Sequence, residues 1–293
     1  MLLLRVMYTA PTLIAEIGCN HQGRMDVAMA MIDSAARTGA VKYVKFQKRN
    51  PKQSLSSEKF RQPHPNPAQS FGDTYGEHRE RLEFSALEHR DLKLHCEARG
   101  LQYACSVWDL DSAEQIISLN PDYIKIPSAA NLNFELLDFV AQSFSGPIHI
   151  SLGMTTALEV LEIERFLVRR DCLSRTIFYA CTSEYPAPPE HCHLLEIPRL
   201  INRFQGRAAG VGYSGHHLGT TLDIVAFTLG ARWIERHFTL DRSLKGSDQA
   251  ISLLPVDFMA LDRSLQEAYL ALTHRGSQFS DSELAQRQKL KDL

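Results

Sequence analysis

Two histidines late in the chain stand directly after short apolar runs, His216 in Gly212-Tyr213-Ser214-Gly215-His216 and His237 in Trp233-Ile234-Glu235-Arg236-His237. Imidazoles at neighbouring strand ends form a donor set for a divalent metal, and two protein nitrogens leave positions open for water and substrate oxygens. No cysteine shares their spacing, which favours a weakly held catalytic ion, Mn2+ or Mg2+, over a closed structural zinc. Lys45 in Val44-Lys45-Phe46 and Lys125 in Ile124-Lys125-Ile126 carry a second signal, because both are embedded in apolar strands. A buried ammonium without a partner is strongly destabilising, so each needs an anion. Glu16 can satisfy one of them as an internal ion pair. A bound phosphate or carboxylate satisfies both, with the hydroxyls of Ser106, Ser128, Ser151 and Ser214 as donors around it.

Such residues converge only if the scaffold gathers strand ends. Short β-branched or apolar runs at 13–17, 43–47, 102–106, 123–126, 148–152, 176–181, 209–213 and 233–237 read as strands. Between and after them, helical periodicity covers 25–38, 86–99, 111–119, 133–141, 157–169, 193–204, 220–229 and 255–272. This alternation predicts an α/β fold, a single-domain (β/α)8 TIM barrel over residues 1–272. A doubly wound sheet would carry G-x-G-x-x-G after its first strand; the chain has Glu16-Ile17-Gly18-Cys19-Asn20-His21-Gln22-Gly23 instead.

Barrel strands present their C-terminal ends to the catalytic mouth, and nearly every strand here ends in polar residues. They run from Glu16, with Asn20 and His21, through Lys45 and Gln47, Ser106, Lys125 and Ser128, to Ser151. Thr182-Ser183-Glu184-Tyr185, Ser214 with His216, and Glu235 with His237 complete the circuit. His217 is expected to point away from the mouth, and His191 and His193 to be surface or packing residues. Asp248, after the last strand, can bind hydroxyls or cap a turn. A proline-rich insertion at 51–84 follows the second strand and is expected on the same face, either as a lid that touches substrate or as an irregular crossover with only a packing role. Residues 273–293 are expected to form a polar tail with a linker and a capped helix start, without a second folded domain.

With 293 residues, 44% of them hydrophobic, and a net charge of −2, the chain can bury a large core and lacks the charge of a general nucleic-acid surface. Met1-Leu2-Leu3-Leu4 is interrupted by Arg5, far short of a span of about 20 apolar residues. The expectation is a cytoplasmic protein without membrane contact. Its six cysteines show no C-x-x-C spacing and read as reduced, packed thiols.

Taken together, Ala15-Glu16-Ile17-Gly18-Cys19-Asn20-His21, Val44-Lys45-Phe46-Gln47, Ile124-Lys125-Ile126-Pro127-Ser128, Ser151-Leu152-Gly153-Met154, Cys181-Thr182-Ser183-Glu184-Tyr185-Pro186, Gly212-Tyr213-Ser214-Gly215-His216 and Glu235-Arg236-His237-Phe238-Thr239 resemble the sialic acid synthase family. Its members are barrel enzymes that condense phosphoenolpyruvate with an N-acetylmannosamine-type sugar. The resemblance implies phosphoenolpyruvate on Lys45, Ser106, Lys125, Ser128, Ser151, Ser183 and Ser214, with Glu16, Lys45 and Lys125 as catalytic residues. It further implies Mn2+ on His216 and His237, with Mg2+ or Co2+ as alternatives, the sugar aldehyde facing Glu16, Tyr185 and Asp248, and a homodimer. In the implied reaction the metal polarises the aldehyde, C3 of phosphoenolpyruvate attacks it, and water adds at C2 before phosphate leaves.

The chain departs from the family pattern at Ala129-Ala130, where a glycine-glutamate pair is expected, at Ser183 in place of an asparagine, and at Gly215 in place of an aspartate. The antifreeze-like C-terminal domain that supplies an arginine to the acceptor in the family is expected to be missing, with Arg61 and Arg79 of the insertion as candidate substitutes. A 3-deoxy-octulosonate 8-phosphate synthase is the nearest rival, needing a cationic acceptor pocket for which no unassigned strand-end arginine is evident. A non-catalytic sugar-binding barrel is the other.

Overall fold

The computed structural model describes residues 9–274 and 279–291; Met1-Leu2-Leu3-Leu4 and Gly276-Ser277-Gln278 fall outside them. In chain order the first elements are β1 (Thr12–Gly18), α1 (Met25–Arg37), β2 (Tyr43–Lys48), α2 (Pro51–Ser54), α3 (Ser57–Arg61), α4 (Tyr75–Arg81) and α5 (Ala86–Ala98). Then follow β3 (Gln102–Val107), α6 (Leu110–Ser118), β4 (Tyr123–Ile126), α7 (Phe134–Ser143), β5 (Ile148–Ser151) and α8 (Ala157–Arg169). The chain continues through β6 (Thr176–Cys181), α9 (Glu196–Phe204), β7 (Gly210–Gly215), α10 (Thr221–Thr228), β8 (Trp233–His237), α11 (Pro255–Ala271) and α12 (Asp281–Leu290). The strands pair in sequence order, all parallel, and β8 returns to β1 to close the barrel. This is the (β/α)8 architecture that the alternation predicts.

Period-two alternation sorts each strand between two cores. On β1, Leu13, Ala15 and Ile17 face outward into the layer that packs against the helices, together with Val44, Phe46, Ile124 and Ile126. Ile14 instead joins Tyr43, Ala104, Tyr123, Ile177 and Tyr179 in a separate cluster that Trp233 completes. That inner cluster is an aromatic floor. His149 stacks on Tyr123 with ring centroids 3.7 Å apart and reaches the Tyr179 hydroxyl at 2.8 Å. One layer higher, the same alternation turns Glu16, Lys45, Lys125 and Glu235 inward.

Local signals set the helix boundaries. Reciprocal Ser-Glu and Thr-Glu capping boxes start α5 (Ser85, Glu88) and α8 (Thr156, Glu159), each satisfying amide donors that the first helical turn leaves free. The ninth helix begins at Glu196 and not at His193, because His193 has φ +45°, outside the helical region. The proline-rich insertion is more ordered than an irregular loop: it contains α2, α3, a 3-10 turn at Pro67–Gln69 and α4, itself started by a Thr74-Glu77 capping box. Gln69 accepts a hydrogen bond from the Gly246 amide at 2.5 Å, tying the insertion to the loop after β8. In the tail, Ser280 caps α12, as its sequence suggests. Among the described residues no helix is long and apolar enough to cross a membrane, and all six cysteines are free thiols.

Candidate active site

Strand register brings the polar residues together. Glu16 stands opposite Lys45 on β2 and His237 on β8. Gln47 aligns with Ser106, Ser106 with Lys125, Cys181 with Ser214, and Ser214 with Glu235. The result is a polar ring at the C-terminal end of the barrel, opening into a cavity of about 600 Å3. Every site residue expected from the sequence lines it: Glu16, Lys45, Ser106, Lys125, Ser128, Ser151, Ser183, Tyr185, Ser214, His216, His237 and Asp248.

The two lysines are 2% and 3% exposed, and each already has a carboxylate. Lys45 Nζ lies 2.5 Å from Glu16, 3.7 Å from Glu235 and 2.8 Å from Ser106 Oγ, to which it donates. Lys125 Nζ lies 2.5 Å from Glu235 and 4.2 Å from the centre of the Tyr179 ring. An external anion is therefore not needed to neutralise the lysines; the internal ion pair considered for one of them exists for both. Glu235, legible only as a strand-end carboxylate, is the second partner. Its other support is Ser214 Oγ, which donates to it at 3.0 Å.

Burial and charge pull these groups apart. Burial raises the Glu16 pKa more than Lys45 lowers it, and the neighbouring Glu235 adds to the rise. Burial acts the same way on Glu235, but Lys125 and Lys45 outweigh it and hold that carboxyl down to about 2. Desolvation works against the Lys45 ammonium, yet Glu16 and Glu235 keep its pKa above the ordinary lysine value. For Lys125 desolvation wins and the pKa is lowered. The ring thus holds one carboxylate firmly ionised and one, Glu16, that takes up a proton more readily.

The imidazoles of His216 and His237 face each other with ring centroids 5.5 Å apart. His216 Nδ1 is 2.7 Å from the Thr182 carbonyl, so it donates there and leaves Nε2 as its available nitrogen. His237 Nδ1 is buried with no hydrogen-bond partner among the described residues, 3.9 Å from the Asp248 carboxylate. An unpartnered buried nitrogen beside a carboxylate and a second imidazole fits a cation. Desolvation, aided by His216 and opposed by Asp248, pushes the His237 pKa down to about 4, keeping the ring neutral and able to ligate. Among the described residues no group of three or more His, Cys, Asp or Glu is placed to hold a metal, so the donor set remains a pair of nitrogens.

Cys181 is a neighbour of the pair that sequence spacing does not reveal. Burial raises its pKa, but contact with His216 prevails and lowers it, so the thiol lies against the imidazole although no spacing in the sequence links them.

Two glycines allow close approaches here. Gly18 adopts φ +56°, and a Cβ there would come within 3.1 Å of the Glu16 and Gln47 side chains. A Cβ on Gly153 would meet Ser183 Oγ and Ser128 Oγ at 2.6 and 2.7 Å. Its amide donates to Ser128 at 3.1 Å, which makes a small cradle of donors.

Other residues fall elsewhere. Asn20 is structural, donating to the Phe238 carbonyl and to Ser252, and His21 stacks on Phe84 at 4.2 Å. His217 is turned away from the cavity and is a buried partner of Arg236 and Tyr213. Exposed Arg61 bonds its own helix at Ser57 and does not line the cavity, which removes it as a substitute; Arg79 does line it. Arg49, immediately after β2, also lines the cavity, so a strand-end arginine is present after all. It is paired with Glu83 at 2.7 Å. Its position one residue past the strand is the signal that could have found it.

Residues 31–277 match the NeuB family. The N-acetylneuraminate-9-phosphate synthase of Drosophila melanogaster is 40% identical over 254 residues, which cover 86% of this chain and 66% of that protein. The Homo sapiens protein of the same name is 36% identical over 283 residues, covering 95% and 76%. A solved structure of N-acetylneuraminic acid (sialic acid) synthetase from Leptospira borgpetersenii serovar Hardjo-bovis, in complex with citrate, superposes with a TM-score of 0.80 at 25% identity, covering 97% of this chain and 94% of that one.

Proposed function

This chain belongs to the NeuB family of sugar-acid synthases, and on that premise we propose that it condenses phosphoenolpyruvate with the open-chain aldehyde of a mannose-type sugar, releasing phosphate and a 2-keto-3-deoxy sugar acid. One observation carries the reading: two buried lysines and two facing imidazoles open into the same cavity. Phosphoenolpyruvate bears a carboxylate and a phosphate close together. Lys45 and Lys125 offer two ammonium groups in a layer where desolvation strengthens each charge-assisted bond. Ser106, Ser128, Ser151, Ser183 and Ser214 with the Gly153 amide add neutral donors.

A divalent ion on His216 and His237, Mn2+ by preference and Mg2+ or Co2+ otherwise, would supply polarisation of the acceptor's aldehyde. The protein's own groups do the rest. As the anion takes up the ammonium groups, the Glu16 ion pair is weakened. Glu16, whose pKa burial already raises, then holds a proton within the cavity while Gln47 fixes its Oε1 at 2.8 Å. The C3 carbon of phosphoenolpyruvate bonds to the aldehyde carbon as the carbonyl pair moves onto its oxygen, water oxygen adds at C2 and gives up one proton to Glu16 and the other to the phosphate, and the C2–O bond to phosphate breaks. Glu16 is placed to protonate the new alkoxide, and Lys45 and Lys125 to hold the departing phosphate. Tyr185, 4.2 Å from the His216 ring, and Asp248 line the acceptor side.

The insertion at 51–84 serves as the lid, a reading supported by its tie to Gly246 and by His64, Asn66, Gln69 and Arg79 in the cavity wall. Family resemblance supports a homodimer, and the free thiols support a reducing, cytoplasmic location. The test is phosphate release from phosphoenolpyruvate in the presence of Mn2+ and a panel of mannose-type sugars with and without N-acetyl groups. Release that requires a sugar bears the proposal out; none with any acceptor leaves a non-catalytic binding barrel.

A further inference from the structure

Glu16 is held from two sides. Lys45 Nζ lies 2.5 Å from its Oε2, and the Gln47 amide donates to its Oε1 at 2.8 Å. A glutamine side chain presents an NH2 on one side and a carbonyl on the other, and a half-turn about its last bond exchanges them. What stands beyond Gln47 therefore decides what Glu16 meets. Arg49 stands there: its Nη2 donates to Gln47 Oε1 at 2.8 Å and lies 2.9 Å from Cys19 Sγ. A guanidinium donates and never accepts, so only the carbonyl of the amide can face it.

Arg49 is itself anchored. It is 4% exposed. Its backbone amide donates to Glu83 Oε2 at 2.9 Å, its Nε lies 2.7 Å from Glu83 Oε1, and its guanidinium carbon sits 4.7 Å from the centre of the Trp108 ring. Glu83 belongs to the end of the insertion, so the side chains run without a break from the insertion through Arg49 and Gln47 to Glu16.

An ionised carboxylate accepts only and would select the NH2 of Gln47 unaided. A protonated one can also donate, and would then tolerate the turned amide with its carbonyl inward. Arg49 excludes the turned form in either state. We propose that Arg49 is a positioning residue that locks the Gln47 amide with its NH2 toward Glu16 while Glu16 gains and loses its proton. The inference rests on the synthase reading for what Glu16 does; the lock itself is a matter of geometry.

Nuclear magnetic resonance of protein labelled with 15N-glutamine reads the lock without turnover, the Gln47 NH2 signals being assigned by their loss in Gln47→Met. Their hydrogen exchange with water should be at least about tenfold faster in Arg49→Met. Arg49→Lys, which keeps a donor, should recover part of the protection. Arg49→Met with Glu83→Gln removes both buried charges and should give the same result if Arg49→Met alone does not fold. In turnover, Arg49→Met should lower kcat about tenfold and leave the KM for phosphoenolpyruvate within about twofold. Added to Gln47→Met, it should lower kcat no further. Unchanged Gln47 exchange in the folded Arg49 variants would overturn the proposal. So would additive losses of kcat, or a rise confined to the KM for the sugar, since either makes Arg49 a direct contact of the substrate. Faster Gln47 exchange in a protein that releases no phosphate from phosphoenolpyruvate would keep the lock and remove the synthase reading.

Discussion

The barrel interior has two layers built from the same strands and governed by different physics. The floor of Tyr43, Tyr123, His149, Tyr179 and Trp233 is filled by aromatic rings. The layer above it holds Glu16, Lys45, Lys125 and Glu235, equally buried but made of full charges. The floor gains its stability from desolvated ring surface and stacking. The upper layer is stable only because each charge is matched, and its balance is local: removing one member strips another of its nearest partner. Tyr179 joins the two, lying beneath Lys125 and beside His149. Stability is concentrated in one layer and reactivity in the next.

Replacing a charge in the upper layer should break this comparison most sharply. Lys125→Met leaves Glu235 buried with one lysine in place of two, and should cost about 3–5 kcal/mol by denaturant unfolding. It should also lower phosphate release by about a thousandfold, roughly 4 kcal/mol of barrel-mouth chemistry. Pairing it with Glu235→Met should recover much of the stability and none of the turnover; recovery of both would show that the lysine acts only through its ion pair.

His237→Ala is the next largest effect. Metal-stimulated phosphate release should fall about a hundredfold, and Mn2+ binding measured by calorimetry should weaken with it. Unchanged Mn2+ affinity would show that the pair is not the donor set.

Acid should separate the layers by a different route. His149 in the floor, and His21 and His89 elsewhere in the core, are kept neutral by desolvation, the last two with pKa values pushed down to about 3. Unfolding returns these rings to a pKa near 6.5. Between that value and 3 the unfolded chain binds more protons, so stability should fall with falling pH by about 1.4 kcal/mol per pH unit for each ring. Glu235, which burial would raise but the lysines hold down to about 2, adds its loss as pH drops below 4.5. Unfolding free energy measured from pH 7 to 4 checks the slope; a flat profile would mean that these rings are hydrated in the folded protein.

The smallest expected change belongs to the floor. The Tyr123 hydroxyl is buried without a hydrogen-bond partner among the described residues, so Tyr123→Phe should be neutral or stabilising, by up to about 1 kcal/mol, with phosphate release unchanged. Destabilisation of more than that in thermal unfolding would reveal a buried water bonded to the hydroxyl.

The chain itself determined the architecture, because the 2.0 and 3.6 residue periods and the capping residues are local properties. It also marked the strand-end residues, since a lysine between valine and phenylalanine or a histidine after an apolar run is visible without any neighbour. What it could not contain was pairing. Lys125 and Glu235 are 110 positions apart, and only the closing of eight strands in a particular register puts them 2.5 Å apart. Cys181 against His216, and Arg49 anchored on Glu83 while it holds Gln47, depend equally on how a loop and an inserted segment pack across the barrel mouth. Local pattern fixes which residues face inward; which charge neutralises which is decided by distances that exist only once the barrel has closed.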